Sequence, residues 1–267
     1  MVHGGAKFIE PAIIDEDVIA AIEDLRSLAP LHNDPALVTI RAAREALPDV
    51  LHVAVFDTAF HATIPEVAAT YAVPRRWREE WGIRRYGFHG LAVASVVSQL
   101  DAERIVVCHL GGGCSVTAVL AGRSVDTTMG FSPLEGVPMA TRSGSVDPGA
   151  LLYLLEGREL SIAELDHALE HESGLLALGS LDDPLGFGVY TYRIAGAAAH
   201  MAMALGGIDI LAFSGGVGEN RSDVREAVAE RLRFIGDFRV APVVAREELV
   251  IAAAVRRRLA SSATADR

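Results

Sequence analysis

Histidines that close apolar runs, an arginine set among small residues and glycine clusters behind strand-like segments are the residues of this chain best suited to chemistry. In Ser214-Gly215-Gly216-Val217-Gly218-Glu219-Asn220 the glycines follow an apolar run and precede a helical pattern, where bare backbone N–H groups at the positive end of a helix can approach a phosphate. Arg221 occupies the third glycine position of the dinucleotide fingerprint, and no glycine-rich segment ends in Lys-Ser/Thr, so neither common nucleotide motif is present. A tight turn explains such a loop equally well. Gly111-Gly112-Gly113 comes after His109 and reads either as a hairpin turn or as a second backbone cradle for phosphate oxygens. Arg142, in Ala140-Thr141-Arg142-Ser143-Gly144-Ser145-Val146-Asp147-Pro148, has the small neighbours a guanidinium needs to reach an anion, although an ion pair with Asp147 accounts for it too. Asp57 ends the apolar run 51–56, a place for a carboxylate that orients a substrate or a metal, or that caps a helix. The chain has one lysine, Lys7, so any bound phosphate must meet arginine, protonated histidine or a metal ion. A metal or redox set of Cys108, His109 and Cys114 is disfavoured, because strand neighbours point to opposite faces; both cysteines read as small buried residues.

These side chains need an α/β scaffold to hold them. The 267 residues are 51% hydrophobic with a mean hydropathy of +0.29, enough to bury a large core and incompatible with disorder or a small disulfide scaffold. A net charge of -11 disfavours nucleic acid and anionic membranes as partners. Two cysteines in the whole chain fit a reducing cytoplasm, and the first residues lack the basic and apolar regions of a signal peptide. Apolar spacing predicts helices over 15–29 and 35–47, a strand over 51–56, a domain crossover in the Pro- and Arg-rich stretch 65–85, and a helix from Gly90 to Leu100. Residues 104–129 read as three antiparallel strands. The last third alternates: helix 192–205, strand 208–213, glycine loop, helix 223–234, strand 238–244, helix from Arg246, which implies parallel strands with helical crossovers. Residues 194–208 are apolar but shorter than the roughly 20 residues that span a bilayer, and read as a buried helix.

Taken in order, His3-Gly4-Gly5, Leu28-Ala29-Pro30-Leu31-His32-Asn33, the segment 55–61, Arg85-Tyr86-Gly87-Phe88-His89-Gly90, the segments 109–113, 129–136, 140–148 and 213–220, and Glu247-Glu248-Leu249-Val250-Ile251-Ala252 resemble the acetate kinases over nearly the whole chain. The resemblance implies an α/β, actin-like and sugar-kinase-like (ribonuclease H-like) two-domain fold. Residues 1–61 with 249–267 would be what is present of an incomplete N-terminal domain, and 62–248 a C-terminal nucleotide-binding and dimerisation domain. It implies reversible phosphoryl transfer between ATP and acetate, giving acetyl phosphate and ADP with Mg2+, in a cytoplasmic homodimer. Carried onto this sequence, Asp57, His89 and Arg142 are implied to be catalytic. Val2, Leu31, Phe88 and Pro133 would hold the acetate methyl with His32 close by, His109, Gly111–Gly113 and Gly215-Gly216-Val217-Gly218-Glu219-Asn220 would hold the nucleotide, and Glu247 the metal. Phosphoryl transfer asks mainly for positioning and charge stabilisation, which Arg, His and Mg2+ around a glycine cradle can supply.

The sequence departs from the family in places. The family's first strand, its Asn-x-Gly-Ser-Ser-Ser segment and an Arg just before the Val-Val-His-Gly-Gly stretch are not in the chain, as expected for a truncated gene product or a late start codon. The family's His-Leu-Gly-Asn-Gly is His109-Leu110-Gly111-Gly112-Gly113, its Gly-Thr-Ser-His is Gly90-Leu91-Ala92-Val93, and Ser180-Leu181-Asp182-Asp183-Pro184-Leu185 lacks the family's Asp-x-Arg. An inactive relative serving as a binding module and a propionate or butyrate kinase are the alternatives.

Overall fold

The computed structural model describes residues 1–26, 30–157 and 160–265, the side chains of 30–32 and 262–265 excepted. Near the start of the chain, β1 (Ala12–Ile13) runs antiparallel to β2 (Val53–Ala54). The strand expected over 51–56 is cut to these two residues, because Asp57 and Thr58 give their N–H groups to the carbonyls of Met1 and Val2 and the chain then winds into a 3-10 helix, Asp57–Thr63. Between the strands lie α1 (Glu16–Asp24) and α2 (Pro30–Ala46). Asp15 caps α1 by accepting from the Val18 N–H, a contact worth about 1 kcal/mol. Ile19, Ile22, Leu37 and the stacked rings of Phe8 and Phe56, 4.6 Å apart, close a small core here.

After the short helices α3 (Glu66–Ala69) and α4 (Arg75–Glu79) comes α5 (Gly90–Val97), then the meander that the sequence predicts: β3 (Arg104–Leu110), β4 (Cys114–Leu120) and β5 (Arg123–Thr127). Helices α6 (Pro148–Gly157), α7 (Ile162–His171), α8 (Gly174–Leu178) and α9 (Pro184–Leu205) follow, then β6 (Ile210–Ser214), α10 (Gly215–Asn220), α11 (Ser222–Arg231), β7 (Arg239–Pro242) and α12 (Glu247–Ala265). The sheet order is β5-β4-β3-β6-β7, with β3-β6 and β6-β7 parallel as expected from the helical crossovers.

Alternation along the central strands sorts side chains between two layers. Val106, Cys108 and Leu110 join Leu211 and Phe213 beneath α9 and α11, while Ile105 and Val107 join Ile210 and Ala212 beneath α5, along which α12 packs. A strand covered on both faces reads as a continuous apolar run, as β3 does. Helix α9 starts eight residues before the expected 192, at Pro184, because Asp183 caps it by accepting from Leu185 and Gly186. Only one face of it is buried: Ile194, Ala198 and Met201 lie inside while Met203 is exposed, so the expectation of a buried helix holds for half its circumference. The expected loop at Gly215–Asn220 is instead a turn of helix.

Candidate active site

Asp57 and His89 are joined through backbone. The Asp57 carboxylate reaches across to the start of α5, where Oδ2 accepts from the His89 N–H at 2.6 Å and Oδ1 from the Leu91 N–H at 3.0 Å. The capping reading of Asp57 is therefore correct in kind, although the helix capped is not its own. These bonds hold His89 in the left-handed region at φ 60, an arrangement that costs a non-glycine residue about 1–3 kcal/mol. The reward is direction. The His89 ring turns toward the glycine loop, Nδ1 pairs with Ser115 Oγ at 3.1 Å, and the ring centre lies 4.8 Å from that of His109.

His109 ends β3 and shares Nδ1 with Ser214 Oγ of the neighbouring parallel strand at 2.9 Å. Burial lowers both histidines to about 4; the charges of His61 and Arg142 add to the effect on His89, and that of His89 to the effect on His109. Both imidazoles are therefore neutral at pH 7, and Arg142 supplies the fixed positive charge. An arriving anion favours the protonated form and raises these values.

Arg142 is not paired with Asp147, which caps α6 by accepting from the Gly149 N–H at 2.8 Å. Its Nε instead lies 2.7 Å from Glu170 Oε2. The Ala140 N–H donates to the Gly112 carbonyl at 3.2 Å, tying the arginine segment to the glycine loop. Where they meet the fit is tight: a Cβ on Gly113 would lie 3.0 Å from His89 Nε2 and 3.6 Å from Arg142 Nη1. The structure thus brings Asp57, His89, His109, Arg142 and the Gly111–Gly113 loop to one place.

The second glycine segment abuts the first, since a Cβ on Gly111 would come within 3.9 Å of the Gly216 N. Gly215 has φ +77, and a Cβ there would be 2.6 Å from the Leu110 carbonyl oxygen, so the strand can turn into α10 only with glycine. Glu219 accepts from the Gly215 N–H at 3.0 Å and Asn220 donates to the Gly216 carbonyl at 2.8 Å, so both side chains fold back on their own turn. Val217 packs on the core and Gly218 is buried.

Glu247 stands at the exposed start of α12. Its carboxyl is raised above the ordinary carboxylate value by loss of water on its inner side, then by the charges of Asp57 and Glu248. Mg2+ takes one or two carboxylates and fills its other positions with phosphate oxygens and water, and the exposed Glu247 carboxylate is of the type it accepts. Among the described residues no group of three or more His, Cys, Asp or Glu is placed to hold a metal.

Of the residues expected around a substrate methyl, Phe88 is buried, Val2 packs against the cluster that contains it, and Pro133 lies half-buried in the 131–136 loop. The side chains of Leu31 and His32 lie outside the described residues. Sequence reasoning missed Ser115, Ser214 and Glu170. Ser214 ends β6 and Ser115 is the second residue of β4, each beside a glycine loop, a signal the sequence carries; nothing local marks Glu170 as a partner of Arg142. Cys108 and Cys114 are free and buried, as the reading of both as small buried residues expects, and burial raises both thiols, Cys114 to about 11.

The fold and this cradle define an α/β protein with histidine and arginine side chains gathered at a glycine loop, and the chain belongs to the acetokinase family, which it matches over residues 1–249. It is 46% identical over 261 residues to an acetate kinase of Deinococcus deserti, a match covering 88% of this chain and 65% of that protein. The chain therefore spans just under two thirds of the length of this relative. A solved propionate kinase from Francisella tularensis subsp. tularensis superposes with a TM-score of 0.89 at 32% identity, covering 95% of this chain and 77% of its own. The acetate kinase of Porphyromonas gingivalis does so with a TM-score of 0.87 at 35% identity, covering 95% and 75%. The actin-like α/β fold implied by the sequence is the fold of these kinases.

Proposed function

We propose that this chain is an ATP-dependent carboxylate kinase, moving a phosphoryl group reversibly between ATP and acetate to give acetyl phosphate and ADP. The observation that carries this reading is the convergence of Arg142 and His89 on Gly113, close enough that a Cβ there would crowd the His89 ring, in a member of the acetokinase family. A transferring phosphoryl group spreads negative charge over its equatorial oxygens and needs preset positive charge and donors more than covalent help. Arg142 supplies the charge, and His89, turned inward by Asp57, offers Nε2 beside Gly113. His109 and the two glycine segments would line the nucleotide phosphates, the N–H groups of Gly111 and Gly215 being taken by the Gly113 carbonyl and Glu219. Asp57 and Glu247 would hold Mg2+, which when bound neutralises phosphate charge. Val2, Phe88 and Pro133 would enclose the methyl group, and the resemblance adds Leu31 to that pocket and His32 close to the substrate.

The same reading places the protein in the cytoplasm as a homodimer; no helix among the described residues is long and apolar enough to cross a membrane. A groove of about 1280 Å³ along α9, with Tyr192, Met203 and Phe234 at its exposed rim, supports self-association. The separate small core of the first residues supports setting 1–61 apart from 62–248, while α12, which carries 249–265, packs along α5 of the second unit. A second reading, propionate as acceptor, is favoured by the likeness to a solved propionate kinase; one methylene is worth only about 1–3 kcal/mol of discrimination. Hydroxamate trapping of acyl phosphate formed from Mg-ATP with acetate, propionate and butyrate tests both. Highest kcat/KM with acetate supports the first reading, highest with propionate the second, and no product with any acid contradicts both.

A further inference from the structure

The geometry points to Glu170 as a positioning residue for Arg142, an inference that rests on the phosphoryl-transfer reading of this site. Glu170 sits in the last turn of α7, its carboxylate 14% exposed, and its Oε2 meets the guanidinium at Nε, 2.7 Å away. Of the terminal nitrogens, Nη1 is the one that lies beside Gly113, where the His89 ring also comes. A guanidinium is a planar fork, so fixing Nε fixes where both terminal nitrogens point. The Met139 sulfur lies 4.0 Å from Nη1.

The pair is also built into the backbone. The Thr141 hydroxyl donates to the Glu170 carbonyl at 2.8 Å, the Ser143 N–H donates to the Leu169 carbonyl at 3.0 Å, and the Ser173 N–H donates to the Thr141 carbonyl at 2.9 Å. These bonds run on both sides of Arg142 and register its segment against the end of α7. Helix α7 is itself fixed at the other end by a capping box, Ser161 with Glu164. Glu170 thus acts on the reacting group through Arg142. It lowers the freedom of a long side chain that would otherwise have to be ordered with each turnover, and loss of such alignment costs about 10- to 100-fold in rate.

The closing experiment combines turnover, inorganic phosphate binding by calorimetry, and the NMR signal of the Arg142 Nε–H, assigned by its loss in Arg142→Ala. Expected results are phosphate binding lost in Arg142→Ala and kept within about threefold in Glu170→Gln, with kcat lowered about 10-fold or more, KM nearly unchanged, and part of the rate recovered in Glu170→Asp. Saturating phosphate should leave the Nε–H signal where it is, whereas Glu170→Gln should move it. If phosphate moves that signal as far as Glu170→Gln does, the carboxylate competes with the anion and the positioning role is overturned. Unchanged turnover in Glu170→Gln, with phosphate binding still dependent on Arg142, also overturns the role while leaving the proposed reaction standing. Absence of Arg142-dependent phosphate binding overturns the proposed reaction, and the role of Glu170 with it.

Discussion

The Asp57 carboxylate holds His89 by its backbone N–H at 2.6 Å, while the His89 ring is directed to the opposite side, against the glycine loop. One carboxylate therefore caps a helix, fixes a strained residue and sets its charge beside Glu247. In Asp57→Asn the charge is removed and one acceptor becomes a donor that cannot serve the N–H groups of His89 and Leu91. The Glu247 carboxyl should then fall toward its ordinary value, because one of its raising causes is gone. Titration of the Glu247 side-chain carbon signal by NMR checks this: a partial fall is expected because burial still raises the group, and a value unchanged from wild type would show that Asp57 is not the neighbour that matters.

Acid should destabilise the fold over a defined range. His3, His89 and His109 are each lowered to about 4 by burial, against 6.5 for the free side chain. Between these values the unfolded chain binds protons that the folded chain refuses, so stability is full above pH 6.5 and is lost as pH falls toward 4. Thermal melting from pH 7.5 to 4.5 should show Tm dropping across that window, and a Tm independent of pH there would contradict neutral, buried imidazoles.

Gly113→Ala should damage function more than stability. The added methyl lies 3.0 Å from His89 Nε2 and 3.6 Å from Arg142 Nη1, both far ends of side chains that can give way, so the fold survives while the two groups part. A loss of about 10- to 100-fold in turnover is expected, with Tm within a few degrees of wild type by melting curves. A fully active variant would mean that the close approach is unimportant.

Gly215→Ala should do the reverse in order of magnitude. The residue needs φ +77, and its Cβ would press on the Leu110 backbone at 2.6 Å, which cannot move without disturbing β3. Destabilisation of about 2 kcal/mol or more is expected from denaturant unfolding, and a neutral substitution would show that α10 can start by another path.

Much of this was legible in the sequence. The meander at 104–127 and the parallel alternation after it follow from turn glycines and apolar runs, because local patterning decides both. The ordered motifs drew His89, His109, Arg142 and Asp57 into one site before any geometry was available. What the sequence hid was long-range. Glu170 lies in a helix of ordinary amphipathic pattern, and nothing near it signals that Arg142 will pass over Asp147, five residues away, for a carboxylate on α7. The strand at 51–56 was overread because its apolar run also serves the small core, where Phe56 packs on Phe8 without belonging to a ladder.

The most direct test of the central claim is hydroxamate formation from acetate and Mg-ATP by the chain and by Arg142→Ala, each confirmed folded by circular dichroism. The account expects product from the chain and a loss of about 10³-fold or more without the arginine, in line with the worth of a cation placed on a transferring phosphoryl group. Equal rates in the two proteins, or no product from a folded chain, would contradict a phosphoryl-transfer site built on Arg142.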